Sequence, residues 1–263
     1  MNNFKLMVCP HDTAKNPENW YNFAQYLTQT LSSSVLFEKS IDFPDFHSNL
    51  ISSGLVYANP QDSLRLIKEH GYIPVARPSN LSDEIIFVAT KSLENPKVAD
   101  IANNNVTSVD SMMVTKVGLK CLLDHDITPS NIDSKESWMA VVKSIFRGET
   151  DYAMVYKDFY EGLNSLSRSG LQKIGETTDG TIHHNLLVSQ ELAEFSDQIQ
   201  QCLIQMHEAS ERSQEILAAL NIQKLVAVSK DEILNFEALH AYKTQADSTT
   251  GQPAIEELEE CCD

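Results

Sequence analysis

Apolar residues along this chain follow two alternating patterns. Short, nearly continuous runs at residues 4–9, 35–38, 55–58, 72–76 and 84–90 have the length and composition of buried strands. Between them, apolar positions return at helical spacing. Trp20, Phe23, Leu27 and Leu31 share one face of a helix opened by Pro17. A shorter helix over 46–53 stops at Gly54 and another over 61–70 stops at Gly71, both glycines standing where a helix C-cap needs them. This alternation predicts a mainly parallel sheet covered on both faces by helices.

A second series begins near Pro96. It predicts a strand at 106–109, a helix capped by Asp110 and Ser111 and running to about 124, and a helix over 134–147 with Trp138, Val141, Val142 and Ile145 on one side. Strands at 152–155 and 171–175 flank a short helix at 159–165, and 183–189 is a last extended run. Helices at 191–206, 210–220 and from Lys230 to about 240 follow, with no internal repeat. The reading is an α/β protein of two lobes, each a mainly parallel sheet flanked by helices. Lobe I is 1–88 with 187–245, lobe II is 89–186, and 246–263 is an appended tail. Two chain crossings make a hinge, and the cleft between lobes is the expected ligand site.

Composition narrows the partners. The chain has 263 residues, 42% of them hydrophobic, and carries 37 acids against 20 bases for a net charge of −17. No positive surplus is left to neutralise phosphates, so neither nucleic acid nor an anionic membrane surface is an expected partner. Six of the acids (Asp247, Glu256, Glu257, Glu259, Glu260 and Asp263) lie in the tail, which has no Lys or Arg. The body alone keeps 31 acids against 20 bases. No window reaches the roughly 18 apolar residues of a membrane span, and the N-terminal run is too short for a signal-peptide core. Five cysteines without a Cys-x-x-Cys pair read as free thiols, with Cys9, Cys121 and Cys202 in apolar surroundings. A cytoplasmic protein is expected.

Four segments carry a resemblance. Gly54-Leu55-Val56-Tyr57-Ala58-Asn59-Pro60 is followed by a helix and by His70-Gly71-Tyr72-Ile73-Pro74-Val75-Ala76-Arg77-Pro78. Phe146-Arg147-Gly148-Glu149-Thr150-Asp151-Tyr152-Ala153 comes next in order. The last is Ile216 to Ile222 with Val226-Ala227-Val228-Ser229-Lys230-Asp231-Glu232. Together, to about residue 243, they resemble the PhnD-like phosphate, phosphite and phosphonate solute-binding proteins of ABC transporters. The resemblance implies a type II periplasmic-binding-protein fold. It also implies an oxyanion held at the start of the first lobe II helix by a Ser/Thr-rich turn. This chain departs there, reading Asp110-Ser111-Met112-Met113-Val114-Thr115. By spacing, Trp138 stands where relatives carry a histidine. Together with the acidic body, these departures weigh against a phosphonate ligand.

Candidate contacts follow from loops at the carboxyl ends of strands. After the first strand these are His11 and Asp12, beside which an exposed loop pair is the competing reading. After the third strand they are Tyr57, Asn59 and Asp62, Tyr57 being equally able to pack beneath a helix. In the second series they are Ser111 (first a helix cap), Thr115, Trp138 (first a core residue) and Tyr156. His184 lies near the returning crossover, where hinge packing competes with ligand contact. His11, His47, His183 and His184 are the histidines considered for a metal. Only the last two are adjacent, and strand neighbours point to opposite faces, so no metal site and no cofactor are expected. No Gly-x-Gly-x-x-Gly, Walker loop, Gly-x-Ser-x-Gly or His-Glu-x-x-His motif occurs. The expected function is therefore non-enzymatic: a cytoplasmic sensor or carrier that closes on an oxyanion or a small polar or aromatic compound. A ligand-free protein-interaction module on the same fold is the alternative, and an enzyme of cofactor biosynthesis the third.

Overall fold

A computed structural model of the chain describes residues 3–13 and 16–244; the acidic tail at 246–263, with Cys261 and Cys262, lies outside the described residues. The first elements are β1 (Asn3–Val8), α1 (Pro10–Thr13), α2 (Pro17–Leu31), β2 (Ser34–Glu38), α3 (Phe43–Asn49), β3 (Leu55–Ala58), α4 (Pro60–His70) and β4 (Ile73–Pro78). Next come β5 (Ile85–Thr90), β6 (Asn105–Ser108), α5 (Met113–Asp124), β7 (Asn131–Ser134), α6 (Trp138–Phe146), β8 (Tyr152–Tyr156), α7 (Lys157–Gly162), α8 (Ser165–Ser169) and β9 (Leu171–Glu176). The chain then runs through β10 (Asn185–Val188), α9 (Ser196–Ala209), α10 (Glu211–Ala219), β11 (Leu225–Val226) and α11 (Lys230–Leu234).

Local chemistry accounts for the helix ends that matter later. Asn59 caps α4 by accepting from the Asp62 amide, Pro60 follows in the first turn, and Gly71 closes the helix at φ 68°. Gly54 has another role than the cap expected of it. α3 ends at Asn49 and passes into a single 3₁₀ turn, Leu50–Ser52. At Gly54 a Cβ would come within 2.7 Å of Phe4 Cβ and 2.9 Å of a Leu192 methyl, so the glycine lets β3 enter against β1.

The chain divides into two compact units, Met1–Asp83 with Gly180–Ala238, and Glu84–Asp179 with the described residues from Leu239 to Thr244. The crossings thus fall earlier than the expected 88/89 and 186/187. The reason is that each crossing strand belongs whole to one sheet: β5 pairs on both sides with β8 and β9, and β10 with β3 and β4.

In the first unit the strand order is β11-β4-β10-β3-β1-β2; in the second it is β7-β6-β8-β5-β9. Both sheets are mixed rather than mainly parallel. β1–β2, β1–β3, β6–β7 and β6–β8 run parallel, while every pairing of β10 and β5, and that of β11 with β4, is antiparallel. Alternation of strands and helices sets crossover connections, but a strand that returns from another unit has no such constraint on direction.

The first unit buries Leu6, Val8, Leu55, Leu186 and Val188 from its sheet against Phe23 and Leu27 of α2 and Leu203 and Met206 of α9. Each such side chain contributes about 1.5–3 kcal/mol of apolar burial. That core fixes the strand ends on which the polar residues described next are mounted.

Candidate functional site

Strand direction collects one polar cluster in the first unit. β1 and β3 are parallel, so their carboxyl ends share an edge of the sheet, and β10 is antiparallel to β3, so its beginning lies at that same edge. Cys9, His11 and Asp12 follow β1, Asn59 and Asp62 follow β3, and His183 and His184 precede β10. Backbone bonds lock the loop: the Cys9 amide donates to Tyr57 O and the Asp12 amide to Cys9 O, both at 2.9 Å.

His184 is the centre of the cluster. Its ring is buried, with Nδ1 3.2 Å from Asp12 Oδ2 and Nε2 3.7 Å from Asp83 Oδ2. The Tyr57 ring meets it edge-on at 5.4 Å and the His11 ring at 6.5 Å. Tyr57 itself is 2% exposed and stacks against Trp20 at 4.7 Å, so its ring packs beneath α2. Asn59 serves the loop twice over: its Oδ1 caps α4, and its Nδ2 donates to Asp62 Oδ2 at 2.7 Å and approaches Cys9 Sγ at 3.9 Å. Asp62 is buried and also meets His47 Nε2 at 3.0 Å.

The electrostatics are acidic. Burial pushes the Asp12 carboxyl up, but the His184 and His11 rings outweigh burial and hold it below its ordinary value, so it is ionised at neutral pH. Burial pushes the Cys9 thiol well up, and the Asp12 and Asp62 charges add to this. His183, beside His184 in sequence, has partners of its own. It contacts Asn185 at 2.8 Å, Glu232 at 3.2 Å and the Phe236 ring edge at 5.2 Å. Burial, then the Arg77 charge, lowers its pKa.

The second unit holds the remaining candidates, at the carboxyl ends of β6 and β8 and in the helices that follow. Met112, not Asp110 or Ser111, occupies the N-cap of α5, and no side chain caps that helix. Asp110 is drawn instead into an ion pair with Lys116 at 2.8 Å, and Ser111 is exposed. Thr115 is fully buried. Its hydroxyl donates to Val109 O at 2.7 Å and lies 2.9 Å from Ser108 Oγ. Trp138 and Tyr156 are both buried and their rings lie 6.0 Å apart. Ser137 caps α6 ahead of Trp138.

The structure therefore brings His11, Asp12, Tyr57, Asn59, Asp62 and His184 into one cluster. It pairs Trp138 with Tyr156, leaves Ser111 at the surface and spends Thr115 inside the fold. Cys9 and Asp83 belong to the cluster without having been among the candidate contacts, and His47, considered above only for a metal, joins it through Asp62. Cys9 follows an apolar strand and reads as one more core thiol, and a search for Cys-x-x-Cys or clustered histidines passes over a Cys-x-x-Asp pair. Asp83 is brought in by the crossover, which no local pattern reveals.

A protein-family model described as ABC transporter, phosphonate, periplasmic substrate-binding protein matches residues 6–233. No curated protein matches the chain. Among solved structures, PhnD1 from Prochlorococcus marinus in complex with methylphosphonate is similar with a TM-score of 0.70 at 15% identity, over 90% of this chain and 97% of that one. A binding protein component of an ABC phosphonate transporter from Pseudomonas aeruginosa is similar with a TM-score of 0.70 at 12% identity, over 97% and 90%. The periplasmic aliphatic sulphonate binding protein SsuA from Escherichia coli gives 0.69 at 11% identity, over 96% and 94%. At these identities the likeness is one of fold, that of periplasmic substrate-binding proteins.

Proposed function

The chain belongs to the family of phosphonate ABC-transporter periplasmic substrate-binding proteins, and from that premise we propose that it binds a small solute through an altered anion site. The family consists of binding proteins rather than enzymes. One observation carries the altered site: the start of α5 is built from Met112 and Met113, with the Thr115 hydroxyl consumed by Val109 and Ser108. A Ser/Thr turn offers several hydroxyls to an oxyanion beside the helix amides; here Ser111 alone keeps an exposed one. The first unit supports the same reading, because Asp12 and Asp83 flank His184 with negative charge. A small polar or aromatic solute, neutral or cationic, suits such surroundings better than a phosphonate.

We place the protein's work in a reducing compartment, as a sensor or carrier. Cys9, Cys121 and Cys202 are free thiols, and the second is only partly covered. A thermal-shift screen with phosphate, methylphosphonate, carboxylates, amines and nucleobase-like compounds, followed by calorimetry on the hits, tests the solute reading. One saturable site for a non-phosphonate solute is the expected result. Silence across the panel, or a response confined to phosphonates, overturns it. Cell fractionation tests the compartment, with the protein in the cytosolic fraction expected.

A further inference from the structure

Cys9, Asp12 and His184 converge in a way that core packing does not require. One ligand-type atom from each, the Cys9 sulfur, an Asp12 carboxylate oxygen and a His184 ring nitrogen, lies within 4.8 Å of the other two. All three residues belong to the first unit and are fixed by β1 and β10. Asp12 Oδ2 is buried and accepts no hydrogen bond, although His184 Nδ1 is only 3.2 Å away. The edge of a tetrahedral zinc site between an oxygen and a nitrogen ligand is about 3.3 Å, given metal–ligand distances near 2.0 Å. The observed separation matches that edge. Drawing in the Cys9 sulfur to about 2.3 Å from the ion requires a side-chain shift on the order of 1 Å.

We propose that Cys9, Asp12 and His184 form a three-ligand site for a divalent transition-metal ion, with Zn²⁺ the best match to a sulfur, oxygen and nitrogen donor set. A hard ion such as Mg²⁺ or Ca²⁺ takes oxygen ligands and is poorly served by a thiolate. Three protein ligands leave a fourth position for water or for a solute donor atom. The outer shell is also present. His184 turns its second nitrogen toward the Asp83 carboxylate at 3.7 Å, the arrangement that orients metal-bound imidazoles, and Asn59 Nδ2 stands 3.9 Å from the Cys9 sulfur. The site shares Asp12 and His184 with the solute reading, and metal titration without solute separates the two.

Titration of the chelator-stripped full chain with Zn²⁺ and with Co²⁺ tests the site. One equivalent of each is expected to bind, Co²⁺ giving a near-ultraviolet thiolate-to-metal charge-transfer band. Cys9→Ser abolishes that band and, like Asp12→Asn and His184→Gln, weakens Zn²⁺ binding by about 100-fold or more, whereas Asp83→Asn costs about 10-fold. A second protein guards against a misfolded Cys9 variant. With Cys121 and Cys202 changed to Ala and Cys261 and Cys262 to Ser, Cys9 is the one thiol left, and the band must persist. Failure of the full chain to bind one equivalent overturns the site. So does survival of the band in folded Cys9→Ser, or its loss from the Cys9-only chain.

Discussion

Thr115 and Tyr72 show how a polar side chain is spent inside this fold. Both atoms flanking the Thr115 hydroxyl, Val109 O and Ser108 Oγ, are buried with it. Thr115→Val removes one of the two donors to Val109 O, which keeps the Met112 amide at 3.0 Å, and should cost about 0.5–1.5 kcal/mol in denaturant unfolding while leaving solute affinity unchanged. Unchanged stability, or loss of binding in a folded variant, would return Thr115 to the ligand site. Tyr72 donates to Ser53 O at 2.7 Å and lies 3.2 Å from Leu50 O, and burial, then the Glu191 charge, pushes its phenol up to about 12. A raised folded-state pKa gives stability that is complete below the unfolded value near 10 and is lost as pH rises toward 12. Unfolding curves at pH 9, 10 and 11 should show this decline, and Tyr72→Phe should make it shallower. At this scale the sequence discloses residue type but not expenditure. Ser111 and Thr115 both qualify as anion donors by pattern, and only packing shows one exposed and the other consumed.

Elements were legible where apolar spacing was strong. α2 and α4 stand where Trp20, Phe23 and Leu27, and the Asn59-Pro60 start, put them. β7 escaped because Asn131-Ile132-Asp133-Ser134 has one apolar residue and pairs on one side only, with β6. The antiparallel course of β5 and β10 was not legible either, since strand direction is decided by where the chain returns from, not by its own residues. Two substitutions probe the elements that carry site residues. Asn59→Ala removes the cap of α4 and should cost about 1 kcal/mol, measured by chemical denaturation; no loss would mean that Pro60 and Asp62 hold the helix start alone. Gly118 lies within α5 where an added Cβ would stand 2.8 Å from Met154 Sδ and 3.1 Å from Ile85 Cγ1. Gly118→Val should lower stability by about 1–3 kcal/mol through overpacking against β5 and β8, despite the better helix propensity of valine. A variant as stable as the parent would show that α5 can lift from its sheet.

For the whole molecule, the net charge of −17 and the inherited fold pull in different directions. Family membership covers residues 6–233, and three solved relatives with anion-transport names share the fold at 11–15% identity. At that divergence the core that builds two sheets survives while the residues at strand ends are free to change. Asp12 and Asp83 beside His184, and the methionines opening α5, stand at such strand ends. They carry the central claim that the fold of a phosphonate receptor has been kept and its anion chemistry replaced. Calorimetric titration of methylphosphonate into the full chain at neutral pH and low salt addresses this most directly. The account predicts no saturable heat, corresponding to a Kd weaker than about 1 mM. A single-site isotherm with a Kd near 1 μM, about −8 kcal/mol, would contradict it.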